Sequence, residues 1–327
     1  MGGRSCSLLL VVAGLAGGVA GLAGGCTQPA MVAGPAPSNR SAPPAGLDAP
    51  PGARTGPARD EVLWIPMTDA RGDTHRLETR VCRPPGDGPA RVVVVAHGSP
   101  PDAAARPRMP LPSCESENAR WFLSRGFLVA FTLRRGYGAT GGAWAEAYGS
   151  CNDSDFFAAG LETARDLDAT VTFVTSLPGA RRDGAVIVGH SAGGWGAVAY
   201  DSQPHPRVAT IVAMAPGRGG HQHGQPNDNC RPERLAEAMA RYGRTATTPI
   251  LLVYAANDTF FEPSLVQSMQ RAFVGAGGHD RIHQIGDFQQ EGHYLFTSRG
   301  GSSVWGPLVE SYLAEQVGAE PPERGIP

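Results

Sequence analysis

A chain of 327 residues with 41% apolar composition is long enough to form one large core, burying roughly three-quarters of its unfolded surface. The formal net charge is −2 and the arginines are scattered, which argues against a nucleic-acid partner, because phosphate binding needs a concentrated basic stripe.

In chain order the first feature is Met-Gly-Gly-Arg, then an apolar run from Ser7 to Leu22 that ends in Ala23-Gly24-Gly25 before Cys26. Residues 1–25 read as an export signal, the run being shorter and richer in glycine than the roughly 20 strongly apolar residues of a membrane span. Small residues before Cys26 resemble the lipobox of bacterial lipoproteins, although Ala23 stands where that pattern has Leu. Cys26 is therefore a lipidation candidate, and the expected location is the bacterial cell envelope, or else a secreted or periplasmic one. If Cys6 leaves with the signal and Cys26 carries lipid, four cysteines remain, an even number suited to an oxidising compartment. Residues 26–60 are Pro, Ala, Gly and Ser with almost no large apolar side chains, and read as a disordered tether.

From residue 61 to about 320 the pattern is that of a folded domain, followed by a flexible tail over 321–327. Val62 to Ile65 and Leu77 to Val81 alternate like an antiparallel pair. Arg91 to Ala96 is a continuous β-branched run, as expected of a strand covered on both faces. Similar runs follow at Leu128 to Leu133, Ala185 to Val188, Val208 to Met214 and Ile250 to Tyr254, with helical patterns between them at about 117–124, 156–177, 193–202 and 264–274. This alternation predicts an α/β fold with a mostly parallel central sheet and helices on both faces. Residues 217–248 interrupt the rhythm after the sixth strand and read as a small insertion with a helical pattern near Arg234 to Tyr242.

Gly189-His190-Ser191-Ala192-Gly193 follows a buried strand and precedes a helix, the context in which G-x-S-x-G marks a nucleophile. The chain turns so sharply at Ser191 that side chains at 189 and 193 would collide with neighbouring elements. A serine hydroxyl needs a base, and the base needs a group to fix its tautomer. Asp258 follows the strand ending at Tyr254, and His293 in Glu291-Gly292-His293 follows a late extended segment near Arg281 to Ile285. Asp258 is preferred as the acid to Asp228 in the insertion and to Asp287, which is too close to His293 in sequence. His97-Gly98-Ser99-Pro100 closes the first parallel strand, so the oxyanion donors are assigned to the amides of Ser99 and Ala192.

The ordered set HGSP, RRGYG at 134–138, GHSAGGWG, AND and EGH resembles the α/β-hydrolase superfamily, particularly its dienelactone-hydrolase-like and S9/S33 peptidase-like branches, over about residues 61–315. The resemblance implies that fold, ester or amide cleavage, and the Ser191, Asp258, His293 triad. Dienelactone hydrolases proper use Cys as nucleophile, so their lactone substrate is not carried over. Arg135 and Tyr137 either brace loops or meet a substrate carboxylate, and Trp144, Trp195 and Tyr294 are candidate pocket residues. His221-Gln222-His223 has metal-like spacing, but no Cys or carboxylate cluster completes a site, and no cofactor or metal is expected. The four remaining cysteines allow several connectivities. Cys114 and Cys151 follow adjacent strands and can meet, and Cys82 with Cys230 could form a second bridge, but spacing does not settle which cysteines pair. The expected activity is hydrolysis of a small-molecule or polymeric carboxylic ester, with an exported peptidase or a non-catalytic envelope binding lipoprotein as the alternatives.

Overall fold

The computed structural model describes residues 59–86 and 88–318. The export signal, the tether as far as residue 58, Cys26 and residues 321–327 lie outside the described residues, and the last two residues assigned to the tether, Arg59 and Asp60, instead begin the first strand. Strands β1 (Arg59–Thr68) and β2 (Thr74–Arg83) form the expected antiparallel pair, with Ile65 opposite Leu77, both buried. Their turn is held by the Asp69 carboxylate, which accepts from the N–H groups of Arg71 and Asp73.

Six further strands run parallel to one another: β3 (Val92–Ala96), β4 (Leu128–Thr132), β5 (Ala185–His190), β6 (Val208–Met214), β7 (Ile250–Ala255) and β8 (Asp280–Ile285). The sheet order is β1-β2-β4-β3-β5-β6-β7-β8. Every residue of β3, β4, β5 and β7 is buried, which explains their unbroken apolar sequences. Val92, Val94 and Ala96 of β3 face a core layer built with α2 (Phe156–Val174), α3 (Ala192–Asp201), α4 (Pro232–Gly243) and α5 (Pro263–Gly275). Val93 and Val95 face the opposite layer, built with α1 (Glu117–Leu123) and α6 (Ser302–Val317). Within residues 217–248, α4 is the crossover that two parallel neighbours require, burying Leu235, Ala238, Met239 and Tyr242. The residues before it, 217–231, form the loop that broke the sequence rhythm.

The disulfides join Cys82 to Cys114 and Cys151 to Cys230, with Cα separations of 5.6 and 5.2 Å. The suggested pairing of Cys114 with Cys151 and Cys82 with Cys230 is thereby corrected. Cys82 and Cys114 belong to the layer of α1 and α6, whereas Cys151 and Cys230 pack in the layer of α2 and α4. Either of the suggested bridges would have had to cross the sheet. Two disulfides fit an oxidising compartment outside the cytoplasm, and no helix among the described residues is long and apolar enough to cross a membrane.

The chain leaves β3 for β4 on one side and returns to β5 on the other, so β3 sits between them. Such a reversal opens a crevice beyond the carboxyl ends of the two strands that flank it. Both His97-Gly98-Ser99 and Ser191 emerge there.

Candidate active site

Ser191 links β5 directly to α3 with φ 52° and ψ −119°, a conformation that non-glycine residues avoid and that marks stored strain. Its N–H donates to the Met214 carbonyl at 2.9 Å and its carbonyl accepts from Trp195 at 2.8 Å, so neighbouring elements hold the turn. A Cβ on Gly189 would strike the Gly193 carbonyl, and one on Gly193 would strike the carbonyls of Ala96 and His97. The two glycines allow α3 to begin against the end of β3 with Ser191 raised between them.

Asp258 lies just past β7, and His293 lies in a short turn past β8; both are 2% exposed. His293 Nδ1 is 3.0 Å from Asp258 Oδ2. An ionised carboxylate only accepts, so Nδ1 carries the proton and Nε2 presents a lone pair. The other carboxylate oxygen accepts from the N–H groups of Phe260 and Phe261 at 2.8 and 3.0 Å, which leaves the carboxylate one orientation. Glu291 ties the two loops together by accepting from the N–H groups of Thr259 and His293 and from the Thr259 hydroxyl. Gly292 is needed at this junction, since a Cβ there would meet Ala255, Asn257 and the Asp258 N–H. His190, beside Ser191, donates from Nε2 to the His293 carbonyl at 2.8 Å. Phe260 stacks on the His293 ring at 4.1 Å between centroids. Ser191 and His293 line one cavity; among the described residues no hydrogen bond joins their side chains, a contact that commonly tightens only when substrate binds. Asp228 is instead at the surface, paired with His223, and Asp287 is exposed.

The segment after β3 is set by His97. Its Nε2 accepts from the Arg134 N–H at 3.2 Å, so its Nδ1 carries the proton and donates to the Gly98 carbonyl at 2.7 Å. The peptide is trans, and fixing the Gly98 carbonyl on the His97 side turns the Ser99 N–H to the other side. Burial, reinforced by the Arg134 charge, pushes His97 down to about 3, so the ring stays neutral and this arrangement persists. A Cβ on Gly98 would come within 3.2 Å of Ser191 Cβ, which shows how closely this backbone approaches the serine. Among the described residues no acceptor takes the N–H of Ser99 or that of Ala192, the first residue of α3. Both donors remain available beside Ser191.

Beneath this edge is a charged cluster that the sequence did not disclose. Glu146, fully buried, is bonded by the guanidiniums of Arg134 and Arg218 and by the Tyr137 hydroxyl. Burial alone would raise the Glu146 carboxyl, but the two guanidiniums more than offset it and hold the group well below the usual carboxylate range. Arg134 also donates to the His97 carbonyl, coupling the cluster to the Gly98 loop. Arg135 turns away to Asp166 and Glu162. Burial pushes Asp166 up to about 6 against the pull of Arg135.

The sequence-proposed pocket residues separate accordingly. Tyr294 lines the cavity beside Ser191. Arg135 and Tyr137 lie one layer beneath it, occupied by Asp166 and Glu146 respectively, and Trp195 is buried against α2 with its N–H on the Phe156 carbonyl. Two cavities adjoin Ser191. One, of about 300 Å³, is mainly apolar, with Met109, Pro112, Phe131, Tyr294 and Phe296 on its walls. The other, of about 70 Å³, includes Arg106, Trp144, Ala192, Arg218 and Phe261. His221 bonds Thr259 while His223 bonds Asp228, and among the described residues no group of three or more His, Cys, Asp or Glu is arranged to hold a metal.

A family model described as X-Pro dipeptidyl-peptidase (S15 family) matches residues 73–266. No curated protein matches the chain by sequence. Solved structures similar to it include a Pyrococcus furiosus esterase, 16% identical with TM-score 0.54, covering 82% of this chain and 99% of that one. A dienelactone hydrolase from Klebsiella pneumoniae is 15% identical with TM-score 0.53, covering 80% of this chain and all of the other. Pyrococcus horikoshii acylaminoacyl peptidase is 14% identical with TM-score 0.58, and the match covers 84% of this chain but 44% of the peptidase. At these identities the likeness establishes the α/β-hydrolase fold.

Proposed function

The chain belongs to the X-Pro dipeptidyl-peptidase (S15) family, and from that premise we propose that it is a serine hydrolase acting outside the cytoplasm on carboxylic esters through an acyl-enzyme on Ser191. In this reading Ser191 Oγ attacks the ester carbonyl while His293 Nε2 takes the hydroxyl proton. The oxyanion is held by the N–H groups of Ser99 and Ala192. Collapse of the tetrahedral adduct breaks the bond to the alkoxy oxygen, and His293 returns its proton to the departing alcohol. Water then attacks the acyl-enzyme, giving one proton to His293, and Ser191 recovers it as the carboxylic acid leaves. Asp258 holds the imidazole in the required tautomer throughout and stabilises the imidazolium.

The observation that favours esters over peptides is the charge around the nucleophile. A dipeptidyl-peptidase must hold the free ammonium of a peptide's first residue, which calls for a carboxylate in the pocket. Among the described residues neither cavity beside Ser191 is lined by an Asp or Glu, and the smaller one carries Arg106 and Arg218. Initial rates on p-nitrophenyl alkanoates and on X-Pro p-nitroanilides test this. The esters are expected to turn over and the anilides to be at least about a hundredfold slower in kcat/KM; anilides as good as or better than the esters would overturn the substrate class. Export and lipid attachment at Cys26 belong to the same reading, and mass spectrometry of the amino-terminal peptide from a bacterial membrane fraction tests them. A diacylglyceryl-modified Cys26 is expected, and an unmodified thiol there would refute the anchor.

A further inference from the structure

The small cavity beside Ser191 is built around unmatched positive charge. Arg218 is 3% exposed. Its Nη2 is spent on Glu146 at 2.6 Å and Thr163 at 2.8 Å, while its Nε is buried with no acceptor. No acceptor among the described residues takes Nη1. Glu146 is already shared with Arg134, so within this bonded cluster two buried guanidiniums face one carboxylate. Leaving a buried charge uncompensated is strongly unfavourable, and the natural remedy is an anion brought by a ligand.

Arg106 adds a second guanidinium on the same wall. Its guanidinium lies over the Trp144 ring at 3.4 Å, its Nε is buried without an acceptor, and among the described residues its side chain makes no ion pair. Trp144 Nε1 bonds the Tyr137 hydroxyl, which bonds Glu146, so one network positions both arginines. Planar guanidiniums with spare N–H groups match a carboxylate in geometry as well as charge. The two cavities share Ser99, Ser191 and Phe260, so a substrate held at Ser191 can place an apolar part in one and a charged part in the other.

We propose that the substrate is an ester bearing a carboxylate on a short tail, the tail entering the small cavity to be bound by Arg218 and Arg106. The inference rests on the ester-hydrolase reading for its turnover assay and has a binding assay that does not. Turnover is compared within two matched pairs: monoethyl succinate against ethyl 4-methylpentanoate, which places the charge on the acyl side, and 3-butanoyloxypropanoate against 3-methylbutyl butanoate, which places it on the alcohol side. In one pair the carboxylate form should have at least about tenfold higher kcat/KM, the value of a charge-assisted hydrogen bond at the low end of its range. Arg106→Gln should lower that ratio about tenfold, and Arg218→Gln, where the protein folds, should lower it further. Neutral esters preferred in both pairs, or a ratio unmoved by Arg106→Gln, would overturn the proposal while leaving the hydrolase intact. If no ester turns over, the hydrolase reading fails, and calorimetric titration of monoethyl succinate into Ser191→Ala still decides this one. Binding that weakens about tenfold with Arg106→Gln added supports the cavity as a carboxylate site, and no binding overturns it.

Discussion

Replacing Glu146 by Gln keeps volume and shape in the core and removes one charge. In the native protein that carboxylate is fully buried between Arg134 and Arg218, whose side chains are 0% and 2% exposed. The amide can accept from one guanidinium only, its NH₂ faces the other as donor against donor, and two buried cations lose their counter-charge. Removing one partner of a buried pair costs about 3–5 kcal/mol, and at roughly 2–4 °C per kcal/mol for a domain of this size the midpoint falls by about 6–20 °C. Calorimetry or urea unfolding of Glu146→Gln measures this directly. Glu162→Gln, which removes a carboxylate from a partly exposed pair with Arg165 and Arg135, serves as the comparison and should cost less than about 1 kcal/mol. Adding Arg218→Met to Glu146→Gln should restore part of the loss, because it removes one of the stranded charges. A cost below about 1 kcal/mol for Glu146→Gln, or no recovery in the double variant, would refute the view that Glu146 is the buried counter-charge on which this cluster depends.

Asp258→Asn keeps the size of the acid but lets the amide stabilise the wrong His293 tautomer, so kcat should fall about 10³- to 10⁴-fold with folding retained, as read by ester turnover beside circular dichroism. Removing the Cys151–Cys230 bridge, which closes a loop of 79 residues, should cost about 4.5 kcal/mol on the chain-entropy model, and Cys82–Cys114, closing 32, about 3.7 kcal/mol, both read by unfolding of paired Cys→Ala variants. His97 is held down near 3 in the fold against an ordinary value of about 6.5 in the unfolded chain. The unfolded state therefore takes up the proton first, and the stability this residue contributes is full above about pH 6.5 and lost as pH falls toward 3. The stability of the wild type relative to His97→Asn should drop by about 1.4 kcal/mol per pH unit between pH 6 and 4, and parallel unfolding curves for the two proteins would contradict the assignment of His97 as a buried neutral group.

Much of the fold was legible because its signals are local. The unbroken valines of β3 report burial on both faces, and the alternation in β1 and β2 reports a sheet edge with one face covered. The turn around Ser191 was legible for a steric reason, its flanking glycines being required by contacts with the carbonyls of Gly193, Ala96 and His97. Asp258 and His293 could be brought to one edge by counting strands, since each follows a parallel strand of one sheet. The connectivity of the bridges was not legible, because strand adjacency, which suggested Cys114 with Cys151, does not say on which face of the sheet a cysteine packs. Trp195 is an aromatic near the site in sequence, yet its position on α3 faces α2, which sequence alone does not disclose. Glu146 and Arg218 carry no sequence signal at all, since a charge that is buried because it is paired looks in sequence like one that is solvated. Glu291 had a faint one in its place two residues before His293, where its carboxylate can reach back to the His293 N–H.

The most direct test of the account is covalent labelling of the folded protein with a fluorophosphonate, followed by mass mapping of the modified residue. The expected result is a single adduct on Ser191, lost in Ser191→Ala and strongly slowed in His293→Ala. Absence of labelling in folded protein, or labelling that survives Ser191→Ala, would contradict the central claim.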